Sequence, residues 1–420
     1  MRPGPDGSIW NDILDTEHAV VVRTYIEQWP RRDCPPEKVL IVVVEPDGKA
    51  RHRCPQCGQR GKVAETDVRR WRTLDVHGKR CFLEAEVPRI VCGEHGKVTA
   101  AVPWARHDDR FSLPFEDQAA WCCAHMPWTR VSRLLRVSWE ALAHIVARAA
   151  ADAAAGRDRL DGLRRIGIDE KSWGKGAGKF LMVVTDHDSG KIAWMGEGRC
   201  QDTVGEFFDA LGEERAALLT QVSADGAEWI HDVIREKAPQ AKICLDAFHI
   251  VKWAGEALDA LRRRMAGELR VAGKHDQAAT LGRGMWALRK DYRKLTPGQR
   301  GTLAQIAADN RQLYKGYLIR EQLREAIKAK GEDGKKLLRG MIAWAHRCRI
   351  PEFTRLARTL SRMRELIYQT LDGGPSNGRA EALNSQINAL ITRARGFRSA
   401  ASLIAMAEFV YGGLCPASPY

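Results

Sequence analysis

From about residue 164 the chain alternates short apolar runs with amphipathic stretches. Ile166–Asp169, Phe180–Thr185 and Ile192–Met195 are strand-like, being short, apolar and bounded by polar turn formers. Asp186-His187-Asp188-Ser189-Gly190 and residues 174–178 read as hairpin turns. An amphipathic helix is expected over Thr203–Leu211, a strand over Leu218–Ala224, a helix over Ala227–Lys237 and a strand over Lys242–Leu245. The order βββαβαβ predicts a mixed sheet flanked by helices, with the first and fourth strands as central neighbours. Residues 255–365 break the alternation: their sequence is helix-like throughout and reads as an all-helical insertion. A final helix starting near Asn377 returns to the sheet, its apolar stripe formed by Ala380, Leu383, Ile387, Leu390 and Ile391.

The first part of the chain has a different texture. Residues 1–50 hold one clear strand, Val39–Val44, followed by a turn at Pro46-Asp47-Gly48. Residues 51–107 are rich in Cys, Arg and loosely alternating β patterns such as Cys81–Val87. Residues 112–150 read as three short helices, Phe115–Ala124, Thr129–Leu135 and one from an N-cap at Ser138 through Arg148. The expected fold class is multidomain α+β. Its segments are 1–50, of no assigned role, a β-rich segment 51–107, a helical unit 112–150, the sheet domain 164–254, the insertion 255–365 and the closing part 366–420.

Length and charge narrow the function. A chain of 420 residues exceeds one ordinary core, so two to four domains are expected. With 44% apolar and 29% charged residues it has a globular composition. A net charge of +14 suits a polyanionic partner, DNA or RNA, although a merely soluble basic protein has the same balance. No apolar run reaches the ~18 residues of a membrane helix. The start, Met1-Arg2-Pro3-Gly4-Pro5-Asp6, lacks the layout of a signal peptide, so a cytoplasmic protein is expected. Eleven mostly isolated cysteines suit a reducing compartment, with Cys122 and Cys123 as core residues.

Two cysteine-bearing pairs stand out. Cys54-Pro55-Gln56-Cys57 and Cys92-Gly93-Glu94-His95 together supply the ligands of a closed tetrahedral site, and soft thiolates favour structural Zn²⁺. Gly58 and Gly96 follow the pairs, where tight turns bring backbone N–H groups toward sulfur. The competing reading is two cysteine turns with no metal. In the helical unit, Arg130, Arg133, Arg136 and Arg148 suit a helix-turn-helix whose last helix enters a major groove; a plain three-helix packing unit has the same pattern.

Three carboxylates lie at informative places: Asp169 at the end of the first sheet-domain strand, Asp225 after the fourth, and Glu381 on the closing helix. Gathered together they would repel without hard divalent cations, so Mg²⁺ or Mn²⁺ is implied. A pair of such ions clamps the attacking and leaving oxygens of a phosphodiester. Singly, each acid has a plain alternative as N-cap, turn former or solvated residue; Asp225-Gly226 is a possible turn, and Glu170 competes with Asp169. Asp246 and His249, in a D-x-x-H at a strand-to-helix junction, and Asn384, on the polar stripe of the closing helix, are candidate supporting residues; a helix N-cap with a semi-buried His is the equal alternative for the first two. Trp173, Lys175, Arg393, Arg395 and Arg398 are candidate DNA contacts.

The residues then meet a known pattern. Ile168-Asp169-Glu170-Lys171-Ser172-Trp173, Val222-Ser223-Ala224-Asp225-Gly226, Asp246-Ala247-Phe248-His249-Ile250-Val251-Lys252 and Ser376-Asn377-Gly378-Arg379-Ala380-Glu381-Ala382-Leu383-Asn384-Ser385 resemble the ISL-three family of bacterial insertion-sequence transposases, of the DDE class. Arg70-Trp71-Arg72-Thr73-Leu74-Asp75 and Val102-Pro103-Trp104-Ala105-Arg106 resemble its zinc-binding and linker region, and the likeness runs from about residue 50 to 410. The resemblance implies a ribonuclease-H-like core with a catalytic Asp169, Asp225, Glu381 set, a zinc-binding segment, a helix-turn-helix and a helical insertion. It also implies DNA substrates, namely terminal inverted repeats and a target, and because two such ends must be paired, action as a homodimer is expected. A zinc-dependent DNA-binding regulator without cleavage and a nuclease of the same fold are the rival readings.

Overall fold

The computed structural model describes residues 5–14, 16–31, 34–156, 158–174, 178–375, 378–394 and 396–415. The chain divides into two compact units, Met1–Ala153 with Cys415–Tyr420, and Ala154–Leu414.

The first unit opens with helix α1 (Pro5–Leu14) and continues through strands β1 (Ala19–Arg31), β2 (Cys34–Pro46), β3 (Lys62–Val76), β4 (Lys79–Cys92) and β5 (Gly96–Thr99). All five strands belong to one sheet of order β1-β2-β4-β3, with β5 added on β4. The hairpin β1–β2 is antiparallel, Tyr25 facing Ile41, and β2 runs parallel to β4, Ile41 facing Phe82. Strands of residues 1–50 therefore share one sheet with those of 51–107. β3 and β4 pair up to Val76 and Lys79 around a two-residue turn. His77 and Gly78 both have positive φ there, 49° and 74°, the geometry whose twist matches a tight hairpin. Cys81, Leu83, Ala85 and Val87 alternate into the core of β4, where Trp71 and Trp104 meet edge to face at 5.5 Å.

Three helices follow: α2 (Leu113–His125), α3 (Trp128–Leu135) and α4 (Trp139–Ala155). The Ser112 hydroxyl caps α2 by accepting from the Phe115 N–H. Arg136, at φ 56°, makes the left-handed turn that ends α3. Val131, Leu135, Leu142, Ile145 and Val146 are buried at helical spacing. The third helix continues past Arg148 to Ala155 because its small apolar residues propagate the helix without a stop signal.

The second unit begins with β6 (Arg165–Ser172), β7 (Phe180–Asp186) and β8 (Ile192–Glu197), then α5 (Gln201–Leu211), α6 (Glu213–Ala216), β9 (Gln221–Ala224), α7 (Glu228–Lys237) and β10 (Lys242–Leu245). The strand order is β10-β9-β6-β7-β8. β6 is central, antiparallel to β7 and parallel to β9, with Gly167 beside Ser223. Helices then run without a strand: α8 (Ala247–Val271), α9 (His275–Arg283), α10 (Met285–Arg289), a 3₁₀ turn at Tyr292–Lys294, α11 (Pro297–Asp309), α12 (Arg311–Ala329), α13 (Gly331–Arg347), α14 (Pro351–Arg362) and α15 (Arg364–Leu371). They share a core around Leu261, Leu313, Leu323, Met341 and Phe353, separate from the sheet core around Ile166, Val184, Phe207, Val222 and Ile234. α16 (Gly378–Ala394) buries Leu383, Ile387 and Leu390 and leaves Glu381, Ser385 and Asn388 exposed. A further helix, α17 (Ala400–Tyr411), closes the unit; it lies beyond the helix expected to be last. No helix among the described residues is long and apolar enough to cross a membrane.

Candidate functional site

Cys54, Cys57, Cys92 and His95 come together in the first unit, their ligand atoms all within 4.8 Å of one another. Cys57 Sγ is 3.6 Å from Cys92 Sγ, and His95 Nδ1 is 3.7 Å from Cys54 Sγ and 3.8 Å from Cys92 Sγ. A tetrahedron of Zn–S bonds of ~2.3 Å has edges of about 3.8 Å, so the donor set has the size and chemistry of structural Zn²⁺. Gly58 and Gly96 adopt φ of 70° and 67° at the two tight turns. Backbone N–H groups of Cys57 and Gln56 hold the Cys54 thiol below its usual range, and His95 does so for Cys92. Cys122 and Cys123 are core residues.

In the three-helix unit Arg130 and Arg133 are exposed, without an ion-pair partner among the described residues. Arg136 is held by Asp75 and donates to the Gly78 carbonyl at 3.3 Å. Arg148 pairs with Asp109 at 2.6 Å and with Glu116. Arg136 thus ties the end of α3 to the β3–β4 turn and Arg148 ties α4 to α2, leaving Arg130 and Arg133 as the cations of that set with no ion pair among the described residues.

In the second unit β6 carries Asp169 and its parallel neighbour β9 ends beside Asp225. The half-buried Asp169 carboxylate accepts from the Glu170 N–H at Oδ1, 2.8 Å, and from the Asn384 amide at Oδ2. The Asn384 contact fastens α16 to the strand. Burial pushes the Asp169 carboxyl up, opposed by Asn384 and then His249, while Asp246 adds to the rise. Neighbouring Glu170 is paired with Arg199 at 2.5 Å, and the charges of Asp225 and Asp169 also reach it. Asp225 does form a turn, Oδ1 accepting from the Ala227 N–H at 2.9 Å. Asp246 caps α8 through the Phe248 N–H at 2.7 Å, and His249 Nδ1 lies 2.9 Å from its other oxygen. That bond raises the His249 pKa, and the charges of Asp169 and Asp225 also reach it. Glu381 has a carboxyl raised by desolvation and then by Asp246. Asp169, Asp246 and Asp225 thus all act on His249, Glu381 is reached by Asp246, and among the described residues the acids do not close to the spacing of the zinc-type cluster. All are hard oxygen donors, the kind Mg²⁺ takes.

Other residues near this site carry no motif in sequence. His231 Nε2 donates to the Asp225 carbonyl at 2.8 Å. Arg379 Nη1 donates to the carbonyls of His187, at 2.9 Å, and of Asp188, holding the first turn of α16, which bears Glu381. His187 Nε2 and Ser223 Oγ are 2.7 Å apart in the interior. Trp173, expected at a DNA surface, is only 8% exposed, because its ring packs inward beneath the Lys179 ammonium, 5.1 Å away. Lys175 and Arg395 lie outside the described residues. Arg393 is in the last turn of α16 and Arg398 is exposed before α17.

A family model described as "Transposase", of the DDE type named for ISL3, matches residues 166–407. The chain belongs to the ISL3 family of transposases. The model of a zinc finger of transposases IS204, IS1001, IS1096 and IS1165 matches residues 50–95 of this transposase, and that of the ISL3 helix-turn-helix domain matches residues 100–150. The transposase is 41% identical over 401 residues, 90% of each chain, to the "Transposase for insertion sequence element IS1557" of Mycobacterium tuberculosis strain CDC 1551 / Oshkosh, and equally to that of strain H37Rv. It is 26% identical over 304 residues, 71% of this chain and 72% of the relative, to the "Transposase for insertion sequence element IS1001" of Bordetella parapertussis.

Proposed function

We propose that this transposase binds the terminal inverted repeats of an insertion sequence, nicks DNA at those ends and joins the freed 3′-OH to target DNA, with Asp169, Asp225 and Glu381 as its catalytic carboxylates. The observation that carries the reading is the Asn384–Asp169 contact, which sets the helix bearing Glu381 against the strand bearing Asp169, beside the parallel strand that leads to Asp225. The order β10-β9-β6-β7-β8, with β7 antiparallel, agrees with a ribonuclease-H-like core, and α8–α15 with a helical insertion into it. Asp169, Asp225 and Glu381 would hold Mg²⁺ or Mn²⁺, and such ions when bound neutralise charge on the attacking and leaving oxygens of the phosphodiester.

The chain's own groups prepare that site. Glu170 N–H and Asn384 fix the rotamer of Asp169. His231 and the Ala227 N–H fix the backbone and one oxygen of Asp225, and Arg379 anchors the turn that presents Glu381. In the first step water attacks the phosphorus and the 3′-oxygen leaves, taking up a proton; in the second that 3′-OH attacks a target phosphate and displaces its 3′-oxygen. The zinc-finger and helix-turn-helix domains supply end recognition, with Arg130 and Arg133 at phosphates. Pairing two ends calls for two protomers, so the active species is a homodimer.

Asp225→Asn tests the catalytic set. It keeps the local turn, since an amide oxygen accepts from Ala227, and it removes the charge. End cleavage with Mg²⁺ should vanish while end binding by gel shift stays within about threefold. Full cleavage by the variant overturns the assignment, and binding without cleavage by the unsubstituted protein points to a regulator instead.

A further inference from the structure

Beside Glu381, between the start of α8 and the ends of α12 and α15, lies a cavity of about 380 Å³. This is within the range of small-ligand pockets, about 300–1,000 Å³. Its walls include Phe248, Val251, Ile327 and Leu371, and its polar edge carries Arg324, Lys330 and Glu381.

Two observations indicate a purpose beyond packing. Phe248 is 50% exposed although it sits one residue from His249 at the acid cluster. Its backbone N–H is fixed by the Asp246 cap, and its ring meets His249 edge-on at 5.7 Å, which leaves a ring face for something else. Lys330 joins α12 to α13 with φ 54°, an uncommon backbone for a residue with a side chain. It is exposed and has no ion-pair partner among the described residues. The hydroxyl of Thr370, also in the lining, is already committed to the carbonyls of Leu245 and Leu366, at 2.8 and 3.1 Å.

We propose that this cavity receives one base of the DNA end, unstacked from the duplex beside the scissile phosphate, with its face on Phe248 and its flanking phosphate on Lys330. The inference rests on the catalytic reading of Glu381, because the cavity is continuous with that residue. An apolar slot with one aromatic face and one unpaired cation matches a base and its phosphate. The Thr370 hydroxyl is engaged and the Arg324 guanidinium is drawn to Glu321 and Asp291, at 3.4 and 3.8 Å, so few lining groups are left to read base edges and the slot accepts a base with little regard to identity. Holding that base out of the stack fixes the strand, and so the phosphate, against the carboxylates.

The experiment compares end cleavage by the full-length protein and by Phe248→Ala, Phe248→Leu and Phe248→Tyr on two substrates, an intact end and one with an abasic site at the nucleotide next to the cleaved bond. Loss of one base–aromatic stack corresponds to about tenfold or more. On intact ends the Ala and Leu variants should cleave at least tenfold more slowly, and Tyr within threefold of the unsubstituted protein. On the abasic end all four should cleave alike, because nothing is left to stack. If Leu and Ala cleave intact ends normally, or keep the same deficit on abasic ends, the pocket assignment is wrong. Phe248→Leu keeps an apolar side chain of similar bulk, so it serves should the Ala variant misfold. Asp225→Asn run alongside separates the two readings: cleavage by that variant sinks the catalytic set, whereas an inert Asp225→Asn with an unaffected Phe248→Leu sinks the base pocket alone.

Discussion

Gly167→Ala should destabilise the second unit through one hydrogen bond. Gly167 lies on β6, two residues before Asp169, and pairs with Ser223 on β9, two residues before Asp225. A Cβ at Gly167 would lie 2.8 Å from His187 Nε2 and 3.1 Å from Ser223 Oγ, which are themselves bonded at 2.7 Å. His187 and Ser223 are each 5% exposed, and His187 Nδ1 has no partner among the described residues, so the ring has no second bond there to fall back on. Burial lowers the His187 pKa and keeps the ring neutral at pH 7. Overpacking costs about 1–3 kcal/mol, and leaving a buried polar pair unbonded about 1–3 kcal/mol. The sum is roughly 2–6 kcal/mol, and less than about 1 kcal/mol gained from a stiffer unfolded chain leaves a net cost of about 1–5 kcal/mol. At about 2–4 °C per kcal/mol for a unit of this size, Tm should fall by roughly 2–20 °C. Thermal unfolding followed by circular dichroism, repeated in a His187→Ala background, reads this directly. With the ring gone the added methyl has room, and its cost should fall below about 1 kcal/mol. A drop under about 2 °C, or an equal drop in both backgrounds, would refute the reasoning.

Cys57→Ser should lose bound zinc by elemental analysis and unfold the ribbon by near-ultraviolet circular dichroism, because a structural site is worth about 10–16 kcal/mol, as much as a whole domain's stability. Arg130→Gln with Arg133→Gln should weaken end binding and lower the slope of log affinity against log salt by about two, one per lost phosphate contact; an unchanged slope removes these arginines from the interface. Arg264 holds the Glu352 carboxyl below its ordinary value of 4.5. For an acid of lowered pKa, the stabilisation is complete above the unfolded value and is lost as pH falls through the folded one. Urea midpoints should therefore drop on the acid side of about pH 4.5 in the unsubstituted protein, and less steeply in Glu352→Gln.

Much of the fold was legible because its signals are local. The runs at Phe180–Thr185 and Lys242–Leu245 are bounded by turns and emerge as β7 and β10 almost residue for residue. Ser138 was readable as the cap of the third helix, and its hydroxyl accepts from the Ala141 N–H at 3.2 Å ahead of α4. What escaped depends on distant partners. β1, with Val20, Val22 and Ile26 exposed, has no clean alternation and becomes a strand through β2. The tie of residues 1–50 to the zinc region is a parallel pairing, which no hairpin turn announces. In the site, Asp169, Asp225 and Glu381 were candidates from their placement at element ends, but His231, Arg379 and the His187–Ser223 pair act by single hydrogen bonds that leave no periodic trace. Trp173 was misjudged because an aromatic beside an acid reads alike whether its ring faces in or out.

The contact between Asn384 and Asp169 has a temporal side. During synthesis the strand bearing Asp169 emerges first, then the whole run of helices from α8 to α15, and α16 nearly last. Contacts so distant along the chain form late and slowly. Until the C-terminal helices have left the ribosome, the nascent chain lacks Glu381, Asn384 and the Arg379 anchor, while the N-terminal zinc and helix-turn-helix domains are already available. On the proposed catalytic reading, a growing chain carries its zinc-finger and helix-turn-helix domains before it carries Glu381, and a chain stopped ahead of α16 would keep the DNA-binding domains without the residues proposed to cut.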